Sequence, residues 1–432
     1  MNIRIYNARI LTMAEEQDIF FGEVHVKGNR ISYVGPSLTS EELAQREPET
    51  CWAREIDAKG NVIMPGFKNA HTHSAMTFLR SYADDLPLLS WLNEQIFPME
   101  AKLTPDDIYH LSKLAIMEYL TSGITANFDM YLTPDTIAQA SYDTGFRTVM
   151  VGGLNNFSQS FEGLEEWYNK YNNPEELVTF QLGFHAEYTN SYENLEQLAA
   201  LVKKYQAPIC AHSSESESEV EGCLERYGKT PTQLFNDLGL LEYGGTYYHC
   251  IHMTEEDLDI LAEKGICVVT NPGSNMKLAS GIAPIQDMLQ KNIHVAIGTD
   301  GPSSNNCLDM FREMFLVTGL AKIKEKDASA VSAYDVLRMA TVEGAYCMGL
   351  TDADILAEGK FADLIMIDLH QPNMQPLNNI RKNIVYSGSK QNVKMTMVNG
   401  KILYENGEFY IGTPAEEIYE KANAIINRMR EE

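Results

Sequence analysis

Between Asn61 and Leu350, short β-rich runs alternate with longer helical stretches, and this alternation leaves few folds open to the chain. The β-rich runs number eight: VIMPGFKNAHTH, ITANFDMY, FRTVMVGGL, TFQLGFHAEYT, PICAHSSE, TYYHCIHM, ICVVTNPGSN and IHVAIGTDG. Helix start signals stand between them, such as Thr104-Pro105 followed by two acids. Eight strand–helix units over roughly 290 residues have the size of a (β/α)8 barrel rather than of a doubly wound sheet. We therefore predict an α/β protein with a TIM barrel at residues 61–350.

Both ends of the chain are also β-rich. Lys27-Gly28-Asn29 predicts a turn in residues 1–60, and Asn399-Gly400 predicts a hairpin in residues 355–412, where NIVYS is interpreted as a strand. Neither segment is long enough to bury a core of its own, so we predict that they join into one small β-sandwich domain beside the barrel. Residues 413–432 predict a charged C-terminal helix.

The composition excludes several kinds of partner. Lys and Arg number 34 against 60 Asp and Glu, and the resulting net charge of -26 argues against nucleic acid and anionic membrane surfaces. The seven cysteines form no CxxC pair, which favours a reducing cytoplasm. The N-terminus does not have the pattern of a signal peptide, and no uncharged apolar run is long enough to span a membrane. We expect a cytoplasmic protein whose partner is a small molecule. The sequence leaves open whether the chain forms a homo-oligomer.

Side chains that can bind a metal stand at the ends of five predicted strands. His71 and His73 end the first, and a strand period of two puts both imidazoles on one face. An HxH pair alone fits two locally bonded histidines equally well. The further members are His185, His212, His249 and Asp300. Packing does not explain this set, because barrel interiors prefer branched apolar residues and the strand ends of a barrel form its catalytic mouth.

Three imidazoles and one carboxylate suit a zinc ion, with iron as a substitute, and leave a position for water. We predict one Zn²⁺ (or Fe²⁺) per chain, which would lower the pKa of that water. The predicted ligands are His71, His73, His212 and Asp300.

Two further residues are predicted to act in catalysis. Glu215 follows His212 in HSSE and would carry a proton to a substrate nitrogen; the alternative is a surface acid in the run SESESEVE. His249 would hold or polarise the attacking hydroxide. His252 is its rival, and His249 is favoured because it lies nearer the strand.

The motifs PGFKNAHTHSAM, HSSE, HCIHM, NPGSNMKLASGIAP and GTDGPSSNN together resemble the amidohydrolase superfamily, in its branch of methylthioadenosine and S-adenosylhomocysteine deaminases and related chlorohydrolases. The resemblance covers nearly the whole chain. It implies a mononuclear-metal barrel hydrolase that replaces the exocyclic amino group of a purine nucleoside with oxygen. It also implies that Glu100 in FPMEAKLT holds the ribose hydroxyls and that His185 contacts the purine. Without the resemblance, Glu100 would be interpreted as a solvated helix acid and His185 as a core histidine.

The chain departs from this branch at two places. Members that accept S-adenosylhomocysteine have an arginine for its carboxylate where this chain has Val151-Gly152-Gly153-Leu154, and Glu187 stands where related sequences usually have proline. The first departure predicts a preference for adenosine, 5′-deoxyadenosine or methylthioadenosine. Arg147 and Lys277 are the two cations that would overturn this prediction if either reached the carboxylate.

The sequence bears on four other classes of protein. A zinc deaminase of another fold would need HxE and PCxxC motifs, which the chain lacks. A binuclear barrel hydrolase would need a bridging lysine or acid on the fourth strand, where His185 stands. A chlorohydrolase or aminohydrolase of a triazine or another ring remains the enzymatic alternative, although Glu215 favours an amine leaving group, which needs a proton. The alternative outside enzymes is an inactive barrel used as a scaffold.

Overall fold

The computed structural model describes residues 2–14, 18–47, 51–86 and 90–431. Its strands are β1 Asn2–Ile10, β2 Phe20–Lys27, β3 Arg30–Gly35, β4 Arg54–Asp57, β5 Val62–Pro65, β6 Phe67–Thr72, β7 Ile124–Asp129, β8 Arg147–Val151, β9 Val178–Gly183, β10 Ile209–Ser213, β11 Gly245–His249, β12 Ile266–Thr270, β13 Val295–Ile297, β14 Leu364–Ile367, β15 Val393–Val398, β16 Lys401–Glu405 and β17 Glu408–Phe409.

The α-helices are α1 Ser40–Arg46, α2 Phe97–Glu100, α3 Pro105–Thr121, α4 Pro134–Thr144, α5 Phe161–Tyr171, α6 Tyr192–Tyr205, α7 Glu217–Tyr227, α8 Pro231–Asp237, α9 Glu255–Lys264, α10 Pro272–Lys277, α11 Ile285–Gln290, α12 Pro302–Asn305, α13 Met310–Glu325, α14 Ala333–Ala340, α15 Val342–Cys347, α16 Ile380–Tyr386 and α17 Ala415–Glu431. Short 3-10 helices cover Ser74–Leu79, Glu187–Thr189, Pro372–Met374 and Lys390–Asn392, and a π-helix covers Trp91–Ile96.

Strands β6 to β13 form one parallel sheet of eight strands in sequence order. The amides of Thr299 and Asp300, just after β13, donate to the carbonyl of His71 in β6 at 3.1 and 3.0 Å, which brings the two edges together. This nearly closed barrel confirms the predicted fold class. Since sequential parallel strands are joined by helical crossovers, all their carboxyl ends meet at one mouth.

Both chain ends pair in a second, mixed sheet of nine strands. Its main order is β17-β16-β15-β14-β5-β1-β2-β3, with β4 beside β1. The antiparallel pairing of β14 with β5 joins the C-terminal strands to the N-terminal ones. The β structure predicted to form from both ends of the chain is thus present as one mixed sheet. The predicted C-terminal helix is α17, and residue 432 lies outside the described residues.

Local capping explains where several helices begin and end. Thr104 and Asp107 form a capping box in front of α3, with Pro105 at the first helical position, and Thr254 and Asp257 do the same for α9. Helix α9 ends at Gly265, whose φ of 65° is a conformation that glycine adopts without penalty. The helix start predicted at Thr104-Pro105 is confirmed.

Two segments differ from the prediction. The run VIMPGFKNAHTH divides at Gly66 into β5, in the mixed sheet, and β6, in the barrel. The amide of Gly66 donates to the carbonyl of Asp363 at 3.0 Å. A Cβ atom at Gly66 would lie 2.0 Å from Thr125 Cγ2, so a larger residue does not fit there. The interpretation of NIVYS as a strand is wrong. It lies in α16, because the side chain of Asn379 accepts the amide of Lys382 and caps a helix there.

A buried ion pair connects the barrel to the mixed sheet. Arg147, at the start of β8, donates from Nε to Asp363 Oδ2 at 2.6 Å, and both side chains are almost fully buried. Asp363 Oδ1 also accepts the amide of Asn399 at 2.7 Å. No helix among the described residues is long and apolar enough to cross a membrane.

Candidate metal and active site

A cavity of about 430 Å³ opens at the carboxyl ends of the barrel strands. Most of the residues predicted for the site line it: His73, Glu100, His185, His212, Glu215, His249 and Asp300. His71 lies fully buried beside them, with its ring 4.9 Å from that of His73 and 4.8 Å from that of His212, centroid to centroid. The structure therefore brings the whole predicted set to one place.

Four of these residues form a tight cluster of donor atoms. One atom from each of His71, His212, His249 and Asp300 lies within 4.8 Å of the other three. His73 Nε2 is 3.2 Å from Asp300 Oδ1, and His71 Nε2 is 3.5 Å from the same oxygen. The donor set is thus imidazole nitrogen and carboxylate oxygen, the kind that zinc and iron accept.

The outer ring nitrogens of three histidines are held by oxygen acceptors. His73 Nδ1 lies 2.5 Å from the carbonyl of Met130, and His212 Nδ1 lies 2.7 Å from the carbonyl of His185. Because a carbonyl only accepts, Nδ1 carries the proton in both rings and Nε2 is left for a ligand. His249 Nδ1 makes the same kind of contact with Asn275 Oδ1 at 2.7 Å.

His71 is oriented by packing instead. Its ring stacks on that of Tyr248 at 3.8 Å between centroids, and neither of its buried ring nitrogens makes a hydrogen bond. A buried polar atom without a partner is costly, and a metal ion would satisfy it. This orphaned imidazole is the clearest sign in the structure that the donor set fits a metal.

Asp300 is held by two hydroxyl groups. Ser274 Oγ, in α10, and Ser304 Oγ, in α12, donate to its Oδ2 at 2.6 and 2.8 Å. Burial alone would raise the pKa of Asp300, but the contacts with His71 and His73 hold that pKa well below its usual range. The carboxylate is therefore charged, with Oδ1 turned toward the imidazoles.

The backbone at two of these residues is in the left-handed region. The φ of His249 is 71° and that of Asp300 is 57°. This conformation costs a non-glycine residue roughly 1–2 kcal/mol, and it persists where surrounding contacts over-determine it. The hydrogen bonds to Asn275, Ser274 and Ser304 supply such contacts.

Burial also sets the charge of the imidazoles. It lowers the pKa of His71 to about 3 and that of His185 to about 4, and it lowers the pKa of His212 well below the usual value. A neutral imidazole is the form that binds a metal. His73 differs, because its hydrogen bond to Asp300 outweighs burial and raises its pKa to about 9.

Glu215 sits at the same mouth and is 7 % exposed. Its Oε2 lies 3.9 Å from His249 Nε2, and burial raises the pKa of its carboxyl. A buried acid with a raised pKa can hold a proton near neutrality and give it up. His252 is turned elsewhere, since its Nε2 lies 2.8 Å from the carbonyl of Ser280.

The outer part of the cavity is mostly apolar. Its walls include Trp91, Leu92, Phe97, Met130, Leu132, Phe157 and Leu278. Glu100, the last residue of α2, is half-buried there, and burial raises the pKa of its carboxyl. His185 Nδ1 lies 3.2 Å from Thr189 Oγ1. The cavity thus joins a polar floor to apolar walls, as a site for a ring with a partly apolar substituent would.

None of the described residues that line this cavity is lysine or arginine. Arg147 is paired with Asp363 next to the mixed sheet. Lys277 donates to the carbonyl of Ser303 at 3.2 Å and pairs with Asp84. Arg147 and Lys277, the two cations considered for a substrate carboxylate, are therefore each paired with an aspartate.

The unusual Glu187 has a structural explanation. Its carboxylate, 1 % exposed, is paired with Arg226 of α7, whose Nε donates to Oε1 at 3.3 Å. The pair connects the turn after His185 to the helix that follows Glu215. A glutamate at this position thus holds the turn after His185 against α7.

The residues that sequence reasoning missed are those that orient the predicted ones. Ser274, Asn275 and Ser304 lie within NPGSNMKLASGIAP and GTDGPSSNN, which were recognised as motifs, but no role was assigned to these three. Their position in the short segments that follow β12 and β13 was the available signal. Only the folded arrangement shows which side chain each of them contacts.

Comparison with known proteins gives relatives along nearly the whole chain. The amidohydrolase family matches residues 62–403. The 5-methylthioadenosine/S-adenosylhomocysteine deaminase of Caldanaerobacter subterraneus subsp. tengcongensis is 37 % identical, and the match covers 100 % of both chains. The protein of the same name from Moorella thermoacetica is 41 % identical, over 94 % of this chain and 95 % of that protein.

Two solved structures also resemble this chain. An adenosine deaminase from Xanthomonas campestris with bound zinc superposes with a TM-score of 0.93 at 30 % identity, covering 100 % of this chain and 99 % of that one. An atrazine chlorohydrolase from Arthrobacter aurescens, complexed with zinc, has a TM-score of 0.88 at 22 % identity, covering 98 % and 100 % of the two chains, and this likeness shows the fold alone. With a family match over most of its length and relatives of this similarity, the chain belongs to the amidohydrolase family.

Proposed function

We propose that this protein is a metal-dependent deaminase that replaces the 6-amino group of adenosine-type nucleosides with oxygen and releases ammonia. The observation that carries the proposal is the position of Glu215, a buried acid 3.9 Å from His249 at the edge of the imidazole–carboxylate cluster. An amine leaves a ring only when it is protonated, and a buried carboxyl can supply that proton. The names of the similar proteins support the same substrate class.

We propose one Zn²⁺ per chain, with Fe²⁺ as a substitute, held by His71, His73, His212 and Asp300. When bound, such an ion lowers the pKa of a water ligand toward neutrality. Two observations support this ligand set: the buried nitrogens of His71 have no hydrogen-bond partner, and the rings of His73 and His212 are held through Nδ1, so that Nε2 is the atom left to face the cluster. His249 lies at the same cluster and would hold the attacking oxygen through Nε2.

The chain's own residues account for the protons. Asp300, kept ionised by its neighbours, would take the proton of the attacking water as the new bond to C6 forms. Glu215 would donate its proton to the departing amine as the C6–N bond breaks and would recover one from Asp300, while the second proton of the water stays on the purine. Water and nucleoside thus become the 6-oxo nucleoside and ammonia. Glu100 would bind the ribose hydroxyls and His185 would contact the purine.

The composition supports a small neutral substrate. A net charge of -26 and a cavity without lysine or arginine among the described residues favour a neutral nucleoside over nucleic acid. The seven cysteines are unpaired, which supports a cytoplasmic location.

The test is ultraviolet absorbance during incubation with adenosine, methylthioadenosine, 5′-deoxyadenosine and S-adenosylhomocysteine, with ammonia measured in the same samples. We expect the absorbance change of 6-amino loss and one ammonia per nucleoside, together with one metal per chain by elemental analysis. A chlorinated triazine is the comparison substrate. Chloride release without deamination would identify the chlorohydrolase alternative, and a protein without metal or turnover would identify the scaffold.

A further inference from the structure

We propose that Glu219 is a positioning residue that holds the turn carrying Glu215, so that proton transfer depends on a second buried acid. This proposal rests on the proposed function of Glu215. Glu219 is not one of the described residues that line the cavity. It would therefore act through the backbone of the turn.

The carboxylate of Glu219 binds the turn at two points. The amide of Ser214 donates to Oε1 at 3.0 Å, and the amide of Glu215 donates to Oε2 at 2.8 Å. Glu219 lies in the first turn of α7, which is capped by Ser216, and it is 4 % exposed. Each oxygen therefore has one backbone partner, and the partners are the two amides that set the direction of the Glu215 side chain.

The turn needs such support because its backbone is unfavourable. Ser214 has a φ of 53°, in the left-handed region that favours glycine. Acceptors for buried amides in this conformation hold it in place. Glu219 forms no ion pair with lysine or arginine among the described residues, so these amides are its main polar partners. Burial raises its pKa to about 7.

The same turn also fixes the strand end that carries His249. The carbonyl of Ser214 accepts the amides of Ile251 and His252, each at 3.0 Å. The anchored turn is thus the common base of Glu215 and His249, whose side chains face each other at 3.9 Å. A small displacement of the turn would separate the acid from the imidazole, and a misplacement of about 1 Å can cost roughly 10²-fold in rate.

The first test compares Glu219→Gln with Glu217→Gln. The amide of glutamine offers one accepting oxygen, so it can satisfy only one of the two backbone amides. We expect Glu219→Gln to lower kcat by roughly 10- to 100-fold with KM changed by less than about 3-fold and with unchanged metal content. Glu217 is exposed in the same helical turn, and its variant should keep wild-type kinetics. If Glu219→Gln does not fold, Glu219→Asp, which is one methylene shorter, replaces it.

The second test is a double-mutant cycle with Glu215→Gln. If Glu219 acts only through Glu215, adding Glu219→Gln to the Glu215→Gln protein should change the residual turnover by less than about 2-fold. A general structural role would lower turnover again by the full factor, and that result would overturn the proposal.

The third test does not depend on activity. Hydrogen exchange of the peptide that contains Ser214 and Glu215 should be faster in Glu219→Gln than in the wild type and in Glu217→Gln. Equal exchange in all three proteins would overturn the proposal. A wild-type protein that deaminates none of the nucleosides would refute the proposed function, while the exchange measurement would still decide whether Glu219 holds the turn.

Discussion

At the scale of single residues, the candidate site is made of buried polar groups whose burial would be unfavourable without their contacts to one another. Asp300 remains charged in a buried place because two hydroxyls and two imidazoles surround it. Glu215 lies 3.9 Å from His249 and accepts no hydroxyl hydrogen bond from the described residues, and burial raises its pKa. The two carboxyl groups at the mouth therefore differ in protonation: Asp300 tends to remain ionised, and Glu215 tends to keep a proton.

Glu215→Gln separates proton transfer from binding. The amide keeps the shape of the side chain but cannot donate and then accept a proton, so kcat should fall by roughly 10²- to 10⁴-fold. Metal content and the KM for methylthioadenosine should remain close to those of the wild type. Steady-state kinetics and elemental analysis check this. Near-normal turnover, or loss of the metal, would contradict the role given to Glu215.

At the scale of elements, the segment after β8 forms one wall of the cavity through a network of its own. The amide of Gly153 donates to Gln159 Oε1 at 2.9 Å, and Asn155 Oδ1 accepts the amides of Phe157 and Ser158. The ring of Phe157 is 69 % exposed and lies edge-on to Phe97 at 6.3 Å between centroids. Among the described residues, this wall offers aromatic surface and no cation, and in the proposed function it would lie near the 5′ end of the nucleoside.

We therefore expect methylthioadenosine, 5′-deoxyadenosine and adenosine to have higher kcat/KM than S-adenosylhomocysteine, whose tail carries a carboxylate. Phe157→Arg should raise kcat/KM for S-adenosylhomocysteine relative to methylthioadenosine by about tenfold, because a guanidinium binds a carboxylate with charge-assisted hydrogen bonds. Phe157→Leu is the control without charge. A wild-type preference for S-adenosylhomocysteine would show that another group binds the carboxylate.

Helices α10 and α13 meet at a buried acid that should make stability depend on pH. Glu313 accepts the amide of Gly273 at 2.8 Å and Asn305 Nδ2 at 2.9 Å, yet burial raises its pKa to about 7. The folded state then keeps a proton that the unfolded chain, with a carboxyl pKa of about 4.3, has already released.

The sign of the pH dependence follows from this difference in proton binding between the folded and unfolded states. Between about pH 4.3 and 7 the folded state binds more protons, so the contribution of Glu313 to the free energy of unfolding falls as the pH rises through this window. Denaturant unfolding at several pH values should show a weaker decline for Glu313→Gln than for the wild type. Glu325→Gln, at the end of the same helix, should follow the wild type. Identical slopes for all three proteins would contradict the prediction.

At the scale of the whole molecule, the ion pair of Arg147 and Asp363 joins the barrel to the mixed sheet. Asp363→Asn would leave a buried guanidinium without its counter-charge, which typically costs about 3–5 kcal/mol. The exposed pair of Asp352 and Arg30 is the matched control, and Asp352→Asn should cost at most about 1 kcal/mol. Denaturant unfolding measures both. Equal effects would show that the buried pair contributes no more than a surface pair.

The order of the elements and the residues at the mouth could be predicted from the sequence. Eight repeated strand–helix units have one common closed arrangement, and their connectivity places all carboxyl ends of the strands together. His71, His212 and Asp300 were recognisable because polar, metal-binding groups at strand ends have no role in a barrel core. The helix caps at Thr104 and Thr254 were equally local, since each depends on residues three positions apart.

Only the tertiary structure decided which groups that are far apart in the chain come into contact. The division of the first run at Gly66 depends on the carbonyl of Asp363, and the support of Asp300 by Ser274 depends on where α10 meets β13. The choice between His249 and His252 also depends on distant partners, Asn275 for one and the Ser280 carbonyl for the other. Periodicity and spacing in the sequence describe only residues that are close along the chain. A hydrogen bond between distant residues depends on which buried groups the fold brings together. These features therefore follow only from the tertiary structure.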